Sequence, residues 1–322
     1  MFKLNELEAA QTLVQSAIAS TPQYAWPSLS KRIGAEVWVK HENHTPTGSF
    51  KVRGAITYID WLRRTHPDSP GIVTATRGNH GQGQARAATA AGLRAVVYVP
   101  FGNSVEKNAA MRAFGAKLIE YGSDFDEAKG EALRVSESEG LTFVPPFHPE
   151  LVRGVATYAY ELLLAVPDMD TLYVPIGCGS GICGCIAARD ALGRSTKIVG
   201  VVSDRATAAK QSFEAGRAIE TPDARTFADG VAVRVPVADA LAIYGKGAER
   251  IVAVSDDAVA EAIRVYFSDT HNLAEGAGAL PLAALMQERD AMAGRKVGVI
   301  LCGGNIDAGW FQTVMQGATP SV

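Results

Sequence analysis

No stretch of eighteen apolar residues occurs anywhere in the chain, so nothing in it reads as a membrane-spanning helix. The first residues, Met1-Phe-Lys-Leu-Asn-Glu-Leu-Glu8, put charges where a signal peptide needs its apolar core, and the expected location is the cytoplasm, with no membrane partner. Cysteine is scarce: four in 322 residues, with Cys178, Cys183 and Cys185 in one glycine-rich segment and Cys302 in another. They lack the paired CxxC spacing of a zinc site, and reduced thiols are the default. Charge of one sign is missing too. The 31 basic and 34 acidic side chains leave a net charge of −3 without long runs, so nucleic acid is not an expected partner. His41, His44, His66, His148 and His271 are scattered without ligand spacing and read as loop or surface residues.

What the chain does have is 47% hydrophobic residues and 32 glycines, enough for one large or two modest domains. Short β-branched runs recur at Glu36–Lys40, Ile72–Ala75, Ala95–Val99, Lys117–Glu120, Leu172–Val174, Lys197–Val202, Ile251–Val254 and Val297–Leu301. Amphipathic stretches of helical length lie between most of them, for example Gly81–Ala91, Asp124–Glu139 and Cys185–Leu192. This alternation predicts an α/β protein with a parallel sheet covered on both faces. Val144-Pro-Pro-Phe-His-Pro149 is the one strong interruption mid-chain and marks a crossing between two lobes.

The stretch Thr45-Pro-Thr-Gly-Ser-Phe-Lys-Val-Arg-Gly54 organises the chemistry. Pro46 and Gly48 end a strand, Thr47 or Ser49 is placed to cap a helix from Phe50 to Leu62, and Lys51 falls in its first turn. The positive end of the helix dipole disfavours an ammonium there and favours the neutral amine that Schiff-base chemistry with an aldehyde requires.

In a parallel α/β sheet, ligands sit beyond the carboxyl ends of strands, which directs attention to three loops. Thr76-Arg-Gly-Asn-His-Gly-Gln82 reads either as an anion-binding loop or as a plain glycine turn. Gly177-Cys-Gly-Ser-Gly181 before a helix makes a cradle suited to a phosphate. Gly179-Ser-Gly-Ile-Cys-Gly184, with Asp204 some way beyond, also satisfies the GxGxxG dinucleotide fingerprint, so that loop alone leaves an NAD-dependent oxidoreductase open. Cys302-Gly-Gly-Asn305 offers a small polar group at a third strand end, or a tight turn with a buried thiol. An aldehyde-competent lysine, a phosphate cradle and a small polar group together describe pyridoxal 5'-phosphate as the cofactor.

The ordered set Thr47–Ala55, Gly78-Asn-His-Gly-Gln82, Gly177–Gly181, Ala228-Asp-Gly-Val-Ala-Val233, Glu275-Gly-Ala-Gly278 and Cys302–Asn305 resembles the serine/threonine dehydratase family, fold-type II pyridoxal-phosphate enzymes that include serine racemase and hydroxyaspartate dehydratase. The similarity runs from about Thr21 to about Asn305, and the oxidoreductase reading accounts for only one of the six motifs. The resemblance implies a two-lobed, parallel-sheet fold like that of the tryptophan synthase β-subunit. Residues 1–52 and 147–322 would form the large lobe and residues 53–146 the small one, in a homodimer.

It further implies that Lys51 carries the cofactor through a Schiff base, with Phe50 against the ring and Asn79 on its phenolic oxygen. Gly177, Cys178, Gly179, Ser180 and Gly181 would hold the phosphate, and Cys302 would face the pyridine nitrogen. Thr76, Arg77, Gly78, Asn79 and His80 would receive the substrate carboxylate, Gly230 would meet the side-chain hydroxyl, and Glu275 would line the pocket. Metal-binding relatives use two acidic positions that fall here on Val202 and Ala208, so no activating metal is expected.

A neutral thiol at Cys302 makes the ring a modest electron sink and favours loss of a β-hydroxyl, the dehydration of a hydroxy amino acid to a 2-oxo acid and ammonia. Arg77, a poor proton shuttle, argues against racemization. Serine and threonine are the default amino acid substrates of the family. The segment Asn43-His-Thr-Pro46 leaves 3-phenylserine and threo-3-hydroxyaspartate open, and β-replacement is a rival reaction.

Overall fold

A computed structural model describes residues 1–321. Ten strands fall at β1 (Gln23–Ala25), β2 (Glu36–His41), β3 (Gly71–Ala75), β4 (Arg94–Val99), β5 (Lys117–Glu120), β6 (Thr142–Phe143), β7 (Thr171–Pro175), β8 (Lys197–Ser203), β9 (Arg250–Val254) and β10 (Lys296–Leu301). They form two sheets, of order β1-β2-β10-β7-β8-β9 and β5-β4-β3-β6. Every pairing is parallel except β1 with β2, where Gln23 faces Lys40. The parallel sheets expected from the sequence are present, and β1 adds one antiparallel strand at an edge, with the helix Pro27–Ile33 between it and β2. Three residues are too short to show an alternation in sequence, and an antiparallel edge leaves Tyr24 52% exposed.

Central strands are buried on both faces, all five residues of β3 and of β7 included, which is why their sequences read as continuous apolar runs. The six-stranded sheet holds the largest core. The four-stranded sheet is packed on one face by Val52, Ile56 and Ala85, and on the other by Ala128, Ala132 and Val135. Among the described residues, no helix is long and apolar enough to cross a membrane.

The helix Lys51–Thr65 crosses Pro149–Ala165 at two glycines. A Cβ on Gly154 would lie 2.3 Å from the Arg53 carbonyl, and one on Gly54 would lie 2.7 Å from that of Leu151, so only glycine permits this approach. The expected lobe boundary at 52/53 falls within the first turn of the first helix. Arg53 there is ion-paired to Glu42 and Glu161, both outside the expected small lobe.

Three local expectations are corrected. Neither Thr47 nor Ser49 caps the helix: Phe50 is the N-cap residue, without a side-chain cap, and the Thr45 and Thr47 hydroxyls donate instead to the Ser49 carbonyl at 2.7 and 3.3 Å. These bonds shape the loop rather than satisfy the helix amides. The helix expected from Cys185 begins at Ser180, because Gly179 at φ +97° turns the chain and Gly184 lets the next turn pack so closely that a Cβ there would lie 3.0 Å from the Ala156 nitrogen. His41 is no loop residue. It extends β2 by pairing with Leu301, is fully buried, and accepts a bond from Trp26 Nε1 at 3.0 Å. Burial lowers its pKa to about 4.

Candidate active site

The loops singled out in the sequence follow β2, β3, β7 and β10, and backbone bonds stitch several of them together. Ser49 bridges Gly303, the Phe50 amide donates to the Cys302 carbonyl at 3.0 Å, Gly304 donates to Gly48, and Glu275 donates to Gly303 at 3.1 Å. Lys51 is thereby held beside the end of β10. Its Nζ lies 4.7 Å from the Phe50 ring centroid and donates to Ser180 Oγ at 3.3 Å, which spans 129 residues of sequence. Burial lowers the Lys51 pKa, against the opposing pull of Cys178, Cys302 and Glu275. The amine is therefore shifted toward the neutral, nucleophilic form.

From the other sheet, Asn79 opens the helix Asn79–Ala90 directly after β3. Its Nδ2 donates to Glu275 Oε1 at 2.7 Å, and its Oδ1 accepts from Asn305 Nδ2 at 2.7 Å. Asn305 also donates to the Thr47 carbonyl at 2.9 Å, tying the lysine loop to the asparagine loop. No role for Asn305 follows from the sequence alone. Its place at the end of the Cys-Gly-Gly-Asn segment was the available signal. Replacing it by alanine removes a bond to Asn79 and is expected to weaken cofactor binding about tenfold, the equivalent of roughly 1.4 kcal/mol. Titration of the apoprotein by fluorescence checks this.

Burial pushes the Glu275 carboxyl above the usual range, and its Oε2 has no hydrogen-bond partner. His80 Nε2 is likewise unpartnered. Burial and then the Lys51 charge lower the His80 pKa to about 3, so this ring is neutral near pH 7. Burial raises the Cys302 thiol well above its ordinary pKa, and it stays protonated. Gly177 approaches Gly230 so closely that a Cβ would lie 2.3 Å from the Gly230 carbonyl, and the first turn of Ser180–Ala191 has no side-chain cap. Amides at an uncapped helix start suit a phosphate. Thr76 accepts from the Gly78 amide at 3.0 Å, while Arg77 is exposed. Val202 and Ala208 are buried apolar residues.

A family model described as pyridoxal-phosphate dependent enzyme matches residues 14–303. The chain belongs to this family. Among curated members it is 34% identical over 317 residues to the L-threonine ammonia-lyase of Thermotoga maritima, covering 98% of this chain and 79% of that one. It resembles the solved processed form of threonine deaminase isoform 2 from Solanum lycopersicum, with a TM-score of 0.91, 29% identity, and coverage of 98% and 93%. Maize serine racemase matches with a TM-score of 0.91, 27% identity, and coverage of 98% and 97%. The observed fold is thus the fold-type II pyridoxal-phosphate architecture.

The site fits the cofactor of this family. It offers a buried amine of lowered pKa, an uncapped helix start behind Gly177–Gly181, and unpartnered buried polar atoms at Glu275 and His80.

Proposed function

We propose that the protein eliminates water from a β-hydroxy amino acid, L-threonine or L-serine, to give a 2-oxo acid and ammonia. The observation that carries this reading is the pairing of Lys51, an amine shifted toward neutrality, with Cys302, a thiol that stays protonated. The activity printed for the Thermotoga maritima relative agrees with it.

Lys51, Phe50, Asn79, Gly177–Gly181 and Cys302 would hold the cofactor. When bound, the cofactor supplies an electron sink for the charge left at the α-carbon. Lys51 Nζ takes the α-proton, and burial, which lowers its pKa, favours the free base that this step needs. The uncharged Cys302 would place no full negative charge beside the bound cofactor, which favours prompt loss of the β-hydroxyl. The amides of 76–80 orient the substrate carboxylate, and Asn79, held in place by Asn305, would contact the bound cofactor. We extend the reading to a cytoplasmic homodimer on the strength of the family resemblance.

The test is a panel of L-threonine, L-serine, 3-phenylserine and threo-3-hydroxyaspartate assayed for 2-oxo acid and ammonia, with and without sulfide. Turnover of threonine and serine unaffected by sulfide is expected. Formation of a sulfur-containing amino acid instead would establish β-replacement.

A further inference from the structure

Lys107 lies in the helix Val105–Ala113, yet its side chain is only 5% exposed. Its stem crosses the loop after β3 so closely that a Cβ on Gly78 would lie 2.7 Å from Lys107 Cδ. Its ammonium is ion-paired to Asp229 in the single turn Asp229–Val231, next to the Gly230 whose carbonyl packs on Gly177. Lys107 thus stands between two segments read above as meeting the substrate, its carboxylate loop and its hydroxyl contact. No residue near it in sequence advertises this, since Asp229 is 122 positions away.

A buried ammonium needs a counter-ion, and at such a place either the protein or the substrate can supply it. The helix carrying Lys107 is fixed. Ser104 Oγ donates to Asp307 Oδ1 at 2.5 Å, Glu106 Oε1 accepts from the Ala308 amide at 3.1 Å, and Asn103 donates to Asn108 at 2.6 Å. The Ser104 hydroxyl also accepts from the Lys107 amide at 3.1 Å. With its backbone pinned, the lysine has little freedom to leave Asp229 for an incoming anion. A second substrate carboxylate would have to displace Asp229 and then face its charge, whereas the methyl of threonine or the hydrogen of serine does neither.

We infer that the Lys107–Asp229 pair determines specificity by occupying the cation with the protein's own carboxylate, so that the site takes uncharged β-hydroxy amino acids and rejects the dicarboxylic one. This deepens the proposed function and rests on it for the substrate class. Glu275 also favours the Lys107 charge, but its hydrogen bond goes to Asn79, and the ion pair of Lys107 is with Asp229.

The experiment compares the holoenzyme with Asp229→Asn and with the double variant Asp229→Asn, Lys107→Gln. Asp229→Ser stands in for the amide variant should that not fold. The ratio of kcat/KM for threo-3-hydroxyaspartate to that for L-threonine is expected to rise at least about tenfold in Asp229→Asn, the range of one charge-assisted hydrogen bond, and to fall back in the double variant. Calorimetry with succinate, a dicarboxylate lacking the amino group, is expected to show binding to Asp229→Asn and to neither the parent nor the double variant. A parent enzyme that prefers threo-3-hydroxyaspartate overturns the inference. So does an unchanged ratio, the result expected if the pair merely fastened the two segments and its loss slowed all substrates alike. If no β-hydroxy amino acid releases ammonia, the proposed function fails on its own, and the succinate titration still decides whether Asp229 masks Lys107.

Discussion

Replacing Lys51 by alanine is expected to lower turnover of the preferred β-hydroxy amino acid by at least about 10³-fold, within the range of losing a positioned acid–base group, and to do more than slow proton transfer. Under the proposed function the same nitrogen would also be the covalent anchor. The purified variant should therefore lose the visible absorption band of the protein-bound cofactor after dialysis, while the parent keeps it. The fold should survive, because the Lys51 side chain makes one long bond, to Ser180 Oγ, and its helix is held by Val52, Ile56 and Ile59 in the core. Far-ultraviolet circular dichroism and the thermal midpoint separate loss of chemistry from loss of structure. An alanine variant that still releases 2-oxo acid at a comparable rate would remove Lys51 from the mechanism.

Two residues further on, replacing Arg53 by methionine is expected to destabilise the protein by about 3–5 kcal/mol, the cost of breaking a buried ion pair. Arg53 is fully buried and donates to Glu42 at 2.8 and 3.0 Å, to Glu161 at 2.9 and 3.0 Å, and to Thr157 at 3.0 Å. Lys40 completes the cluster with a 2.6 Å bond to Glu161, so two cations balance two carboxylates. Methionine fills much of the volume but leaves Glu42, with no exposed surface, without its cation. Denaturant titration reads the loss.

The cluster also fixes a pH response. Burial pushes Glu161 up, but Arg53 and Lys40 outweigh it and hold the carboxyl at about 2, below its ordinary 4.5. A depressed carboxyl contributes stability above the unfolded-state value and loses it as the pH falls from 4.5 toward 2, here on the order of 3 kcal/mol. The gap between parent and Arg53→Met should accordingly narrow across that window. A constant gap from pH 5 to pH 2 would contradict the assignment.

Legibility in the sequence followed how local each signal is. Most of the strands foreseen from the sequence are β-branched runs that are largely buried, and their pattern survives in one dimension. The three residues of β1 and the two of β6 carry no pattern and exist because a neighbour offers an edge. The helix start at Ser180 was hidden by glycines that disfavour helices in isolation and are tolerated here because Gly184 packs against a second helix. Lys51, Asn79 and the glycine cradle were visible because each sits at a fixed offset from its own strand end. Asn305 on Asn79 and Asp229 on Lys107 were not, since those bonds join residues 226 and 122 positions apart and depend wholly on how the sheets meet.

The insertion of β10 between β2 and β7 bears on how the molecule is made. A nascent chain that has left the ribosome only as far as residue 295 lacks the middle of its larger sheet, so β2 and β7 have no shared neighbour and Lys51 has no Cys302 carbonyl to fix the backbone of its loop. Vitamin B6 capture must then wait until β10 has been made, and until that moment the exposed edges of both strands are surfaces that a chaperone has reason to cover.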